Sequence, residues 1–150
     1  MSELEQIINE AFDKKEEISL STNGPIREAV NLTLNQLDNG TLRVCEKINA
    51  EWKVNQWAKK AILLSFRLND NEIIKEMNAS WFDKVQSKTS NWNKEDFLKA
   101  GFRYVPNAVI RKSAFIAKGV ILMPSFVNLG AYVDQGTMID TWATVGSCAQ

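Results

Sequence analysis

In the N-terminal part of the chain, apolar residues recur at helical spacing. Leu4, Ile7, Ile8, Ala11 and Phe12 follow Ser2-Glu3-Leu4-Glu5, where a serine stands three residues ahead of a glutamate as in a capping box, and they predict a helix to about Glu17. Thr22-Asn23-Gly24-Pro25 reads as the start of a second helix, with proline in the first turn. Its stripe is Ile26, Val30, Leu34 and Leu37, and Asn39-Gly40 ends it with a residue suited to a left-handed cap. Alternation over Leu42 to Ile48, a turn at Asn49-Ala50 and the run Glu51 to Val54 predict a hairpin. A third helix, about Asn55 to Leu68, turns Trp57, Ala61, Leu64 and Leu68 inward. Arg67 on it reads as a structural pair-former. From 71 to 99 no period dominates. Trp81, Phe82 and Trp92 read as anchors of a loop-rich connection, and Asn93 to Ala100 as a short helix.

From Val109 onward the period is six. Val109, Phe115, Ile121, Val127, Val133, Ile139 and Val145 are all apolar, and Ser113, Gly119, Ser125, Ala131, Thr137, Ala143 and Ala149 are all small. A small residue two before a large one shares its side of an extended segment. Repeated, this gives short strands joined by sharp turns around a narrow prism, the hexapeptide-repeat parallel β-helix. In this frame the seven apolar positions line the prism. Asp140 points outward, as do Ile116, Leu122, Phe126, Tyr132, Met138 and Trp142. That apolar outer row needs a cover, and a closed homotrimer supplies one. Seven hexads end in an uncapped coil, which predicts a longer chain. The expected class is α+β: a small helical domain with a hairpin over 1–100, then the first coils of a β-helix over 101–150.

Composition narrows the chemistry. Of 150 residues, 45% are hydrophobic, enough for a buried core, and Lys+Arg and Asp+Glu balance at 18 each. A neutral chain lacks the basic footprint of a nucleic-acid or membrane-surface binder. The N-terminus is polar and acidic, unlike a secretory leader, and only two cysteines are present, so a cytoplasmic setting is expected. There is no histidine. That removes Ser-His-Asp, Cys-His and His-ligated metal sites from these residues, and no metal is expected.

The runs IREAVN (26–31), LRVCEKI (42–48), QWAKKAILLSFRLND (56–70), GFRYVP (101–106) and MPSFVNLGAYVDQGTMIDTWATVGSCAQ (123–150) carry a resemblance. Together they resemble the N-terminal half of the tetrahydrodipicolinate N-succinyltransferase family, over nearly the whole chain and fading between about 71 and 95. The resemblance implies left-handed coiling with three hexads per turn. It also implies an acyltransferase of lysine and diaminopimelate synthesis. Such an enzyme moves succinyl from succinyl-CoA, a co-substrate and not a resident cofactor, to the amine of the opened, dicarboxylate form of tetrahydrodipicolinate. In the family, the aspartate of DTWATVGS and the arginine of GFR contact substrate. Here these are Asp140, as the catalytic and substrate-binding candidate, and Arg103, as the substrate-binding candidate. The family's proton-transferring glutamate and most coenzyme A-binding coils are expected past residue 150, so no coenzyme-binding residue is assigned here.

The attacking amine must shed a proton, which calls for a base, and two carboxylates call for a planar cationic clamp. Trp142 is a candidate wall residue beside Asp140, and Cys148 reads as structural. Arg103 and Asp140 are 37 positions apart, close to two coils. Two strand spacings come to roughly 10 Å, which predicts a site completed across a subunit boundary. Other readings remain. A sugar or antibiotic acetyltransferase of the same fold usually uses a histidine base, and a γ-type carbonic anhydrase needs metal-binding histidines. A non-catalytic trimeric scaffold would use only the outward apolar row.

Overall fold

The computed structural model describes residues 2–76 and 79–150. Helix α1 is Glu3–Asp13, with the Ser2 hydroxyl accepting the Glu5 N–H at 3.2 Å, and a short 3-10 turn follows at Lys15–Glu17. Helix α2, Pro25–Asp38, starts after Gly24 in a positive-φ conformation, with Pro25 in the first turn, where its missing N–H costs nothing. Strands β1 (Cys45–Ile48) and β2 (Glu51–Val54) form the first hairpin, and α3 is Gln56–Leu68. The three helices bury Ile8, Ala11, Ala29, Val30, Ala61, Leu64 and Leu68 against one another. Arg67 pairs with Glu16 at 3.1 Å, as its role as a pair-former required. Both partners are too exposed for the pair to matter much, at about 0–1 kcal/mol.

A second hairpin stands where a loop-rich connection was expected: β3 (Glu72–Glu76) and β4 (Ala79–Asp83) pair antiparallel. Its Trp81 and Phe82 are exposed and not the packing anchors expected. Trp92 does anchor. It meets Phe97 and Phe102 at ring-centroid distances of 5.1 and 5.7 Å, in a group that packs against the core of the C-terminal region. Phe97 belongs to α4, Lys94–Ala100, which has a reciprocal capping box between Asn93 and Asp96 and a left-handed Gly101 cap.

Eight two-residue strands follow: β5 (Arg103–Tyr104), β6 (Val109–Ile110), β7 (Phe115–Ile116), β8 (Ile121–Leu122), β9 (Phe126–Val127), β10 (Tyr132–Val133), β11 (Met138–Ile139) and β12 (Thr144–Val145). They pair in parallel and visit three sheets in rotation: β5-β8-β11, β6-β9-β12 and β7-β10. Each sheet is one face of a coil. The offset between stacked strands is 18 residues for Arg103↔Ile121 and Phe126↔Thr144, but 17 for Val109↔Phe126, Phe115↔Tyr132 and Ile121↔Met138.

That missing residue corrects the hexad frame. The inward positions are Ile110, Ile116, Leu122, Val127 and Val133, all buried and packed together. Ile116 and Leu122 were expected to point outward, yet they are only 4% and 0% exposed; Val109, expected inward, is 41% exposed. The phase slips by one between Leu122 and Phe126, where Met123-Pro124-Ser125 supplies three corner residues in place of the four found elsewhere. The other corners each hold one residue at positive φ: Asn107, Ser113, Gly119, Gly130, Gly136, Trp142 and Cys148. Proline, with φ fixed near −65°, cannot take that conformation. The short corner goes without it.

The face formed by β7 and β10 lies against the helical region. Leu37, Val44, Ala58, Ile62 and Leu129 form a buried cluster across the join, and the Arg43 guanidinium sits 3.9 Å from the Tyr132 ring centroid. Burying each large aliphatic side chain is worth about 1.5–3 kcal/mol, so this cluster, not surface ion pairing, holds the two regions together. Gly40, at φ 77°, meets the same face. A Cβ there would come within 2.7 Å of the Phe115 ring. Gly40→Ala combines left-handed backbone strain with overpacking, and is expected to cost about 2–4 kcal/mol. Denaturant unfolding checks it, and a loss below about 0.5 kcal/mol would show that the ring moves aside freely.

Asp38 ties three segments together. Its carboxylate accepts the Ser113 N–H at 2.7 Å and pairs with Lys88 Nζ at 2.7 Å, and Nζ also donates to the Asp38 carbonyl at 2.8 Å. Burial pushes the Lys88 pKa below its ordinary 10.5; the charge and hydrogen bond of Asp38 oppose that shift, and Lys112 adds to it. Between the lowered pKa and 10.5 the unfolded chain binds more protons than the folded one, so this contribution to stability rises with pH through the window and is lost as pH falls through the folded pKa. Wild-type stability minus that of Lys88→Met is therefore expected to rise with pH over that window. Urea titrations at several pH values measure it, and a difference that falls with pH would reverse the sign.

Candidate functional site

The sheet β5-β8-β11 carries both candidates. Arg103 occupies the outward position of β5, and its register partners above are Ile121 and then Met138. Two residues further along each strand lies a second row. The Val105 N–H donates to the Leu122 carbonyl and the Met123 N–H to the Ile139 carbonyl, both at about 3.0 Å, which stacks Val105, Met123 and Asp140 in order. Arg103 and Asp140 thus leave the same face of one chain, two coils apart.

The Arg103 side chain crosses the first of those coils. Its Nη2 approaches Met123 Sδ at 3.8 Å, directly beneath the Asp140 rung. The remaining gap between cation and carboxylate rung is about one strand spacing, roughly 5 Å. The backbone separation of two coils, from which a shared site was expected, is as counted.

Asp140 is exposed. Its Oδ1 accepts the Thr141 N–H at 2.7 Å and its carbonyl accepts the Ala143 N–H at 3.0 Å, so the corner holds the residue while the carboxylate faces outward. Among the described residues no other group hydrogen-bonds that carboxylate. A carboxylate so placed can accept a proton, and the guanidinium below it can take a carboxylate through two parallel bonds. Trp142 stands at the same corner.

Met123 and the short Pro124 corner were missed from the sequence. A signal existed: Gly119 and Gly130 are eleven apart, while Gly130 and Gly136 keep the spacing of six. A groove of about 620 Å³ runs between the second hairpin and β6-β9, lined by Trp81, Phe82, Val109, Arg111 and Phe126. It contains neither Arg103 nor Asp140, whose surface is open in the single chain.

Comparison with known proteins decides the lineage. The family profile described as tetrahydrodipicolinate N-succinyltransferase N-terminal matches residues 3–68. A 2,3,4,5-tetrahydropyridine-2,6-dicarboxylate N-succinyltransferase of Bradyrhizobium diazoefficiens is 61% identical over 100% of this chain and 54% of its own length. Proteins of the same name from Parvibaculum lavamentivorans and Cereibacter sphaeroides are 55% and 57% identical, over 100% and 99% of this chain and 54% and 55% of theirs. Over nearly its whole length the chain is similar to tetrahydrodipicolinate N-succinyltransferases. It spans about half the length of these curated N-succinyltransferases. The profile stops at the end of α3, whereas the pairwise identity runs on through the coil that holds Arg103 and Asp140.

Proposed function

We propose that these residues are part of an acyltransferase that moves succinyl from succinyl-CoA to the amine of the opened form of tetrahydrodipicolinate, 2-amino-6-oxopimelate, in lysine and diaminopimelate synthesis. The observation that carries this reading is the shared face: a cation and a carboxylate two coils apart, with Met123, which the cation touches, on the rung between them. An amino-diacid fits that pattern. Arg103 grips a carboxylate, which brings the amine to Asp140. Asp140 takes the proton that the amine sheds as its nitrogen attacks the thioester carbonyl. Collapse of the tetrahedral adduct breaks the C–S bond, the thiolate of coenzyme A leaves, and an amide remains. Oriented binding and general-base help are the terms these two residues supply.

The wider reading goes with it. The three-sheet rotation and small inward residues such as Ala114 and Ala131 support a left-handed hexapeptide-type β-helix that begins near Gly101, after a helical domain over 1–100. Exposed Met138 on the outer surface supports a homotrimer as the cover. Two free cysteines fit a cytoplasmic setting, and among the described residues no helix is long and apolar enough to cross a membrane. The test is coenzyme A release by the intact protein. Release from succinyl-CoA that requires tetrahydrodipicolinate supports the reading. Release from acetyl-CoA with a sugar acceptor would move it to another hexapeptide acyltransferase, and no release with any acceptor would leave a scaffold.

A further inference from the structure

We propose that Trp142 is a specificity-determining residue of this site: its ring walls a notch at the Pro124 corner and packs on the carbon chain between the two ends of the amino-diacid. This rests on the function proposed above. Two independent observations converge on Trp142. It is 79% exposed, the most exposed of the large hydrophobic side chains described. Its backbone is also left-handed, at φ 60°, a conformation in which a bulky residue is a genuine outlier. Gly119, Gly130 and Gly136 hold the equivalent place at other corners, where it is free of strain. Neither the exposure nor the strain is explained by packing within the chain.

The coil geometry says what the ring faces. The corner below Trp142 is the short one, Met123-Pro124-Ser125; the corner below that, Val105-Pro106-Asn107-Ala108, has the full four residues. A three-residue corner thus lies between two four-residue corners along that edge. The Trp142 N–H binds the Pro124 carbonyl at 2.6 Å, which fixes the indole-bearing residue directly over the short corner. Asp140 opens the same corner, and Met123, in contact with Arg103, closes the strand beneath. Read along the edge, the chemistry is cation, thioether, indole and carboxylate. That sequence matches a ligand with a carboxylate at one end, methylenes in the middle and, at the other, the amine-bearing carbon, whose own carboxylate these four groups do not hold.

Trp142→Gly separates this role from a structural one, because glycine relieves the backbone strain while removing the ring. In the intact protein, the melting temperature is expected to hold or rise, while KM for the amino-diacid rises at least about ten-fold, the scale of lost apolar contact in a specificity pocket. Trp142→Phe should recover most of that loss. Direct titration with 2-aminopimelate reads the same change without turnover. An unchanged KM in an active Trp142→Gly enzyme would overturn the inference and leave the proposed function standing. So would loss of assembly with unchanged affinity, which would make Trp142 a subunit contact. Failure of the wild type to bind 2-aminopimelate would instead sink the function on which the inference rests.

Discussion

Asp140→Asn in the intact protein is expected to lower kcat by about 10²–10⁴-fold, the usual scale of general-base help, with the melting temperature unchanged. The structure gives reason to expect both halves. Asp140 is exposed and, among the described residues, makes one side-chain hydrogen bond, with Oδ1 accepting from the Thr141 N–H. The amide oxygen of asparagine can accept that same bond, so the corner keeps its geometry. Asparagine cannot take a proton from an attacking amine. The assay is succinyl-CoA consumption at saturating acceptor, with thermal melting as the fold control. Activity within a factor of about three of wild type would take Asp140 out of the chemical step.

Arg103→Lys comes second in expected size. Both side chains are cationic and long enough to cross one coil, so a merely electrostatic role would survive the change. A clamp would not. The guanidinium presents paired N–H donors to a carboxylate, and an ammonium is a point charge. Losing one charge-assisted hydrogen bond costs about 1.5–3 kcal/mol, which raises KM for the diacid roughly ten- to a hundred-fold while kcat changes far less. Steady-state kinetics separate the two constants. A KM within two-fold of wild type would mean that Arg103 does not grip the substrate.

How much of this was legible in the sequence differed by region. The helices of the N-terminal part were readable because each carries an apolar stripe and a polar stop, and α1 and α2 add a capping serine and a Gly-Pro start. Hairpin β3-β4 was not, because its Ile73, Trp81 and Phe82 stay exposed and so leave no alternation of buried and polar positions. The coil was readable as a period of six but in the wrong phase over its first part. In Val109-Ile110, Phe115-Ile116 and Ile121-Leu122 both strand residues are apolar, so a template of one apolar residue per hexad fits either of them. Only turn chemistry breaks the tie, through the Gly119-to-Gly130 spacing and Pro124. The candidate pair was named from family motifs, not from spacing. The course of the Arg103 side chain toward Met123 could not be read at all, because the count of coils fixes only the backbone separation.

The most direct test is a crystal structure of the intact protein with 2-aminopimelate bound. The expected result is a carboxylate of the ligand on the Arg103 guanidinium, the carbon chain along Met123 at the Pro124 corner, and the amine within hydrogen-bond distance of the Asp140 carboxylate. A ligand seated in the groove beside Trp81 and Phe82, or one that touches Asp140 but leaves Arg103 on Met123, would contradict it.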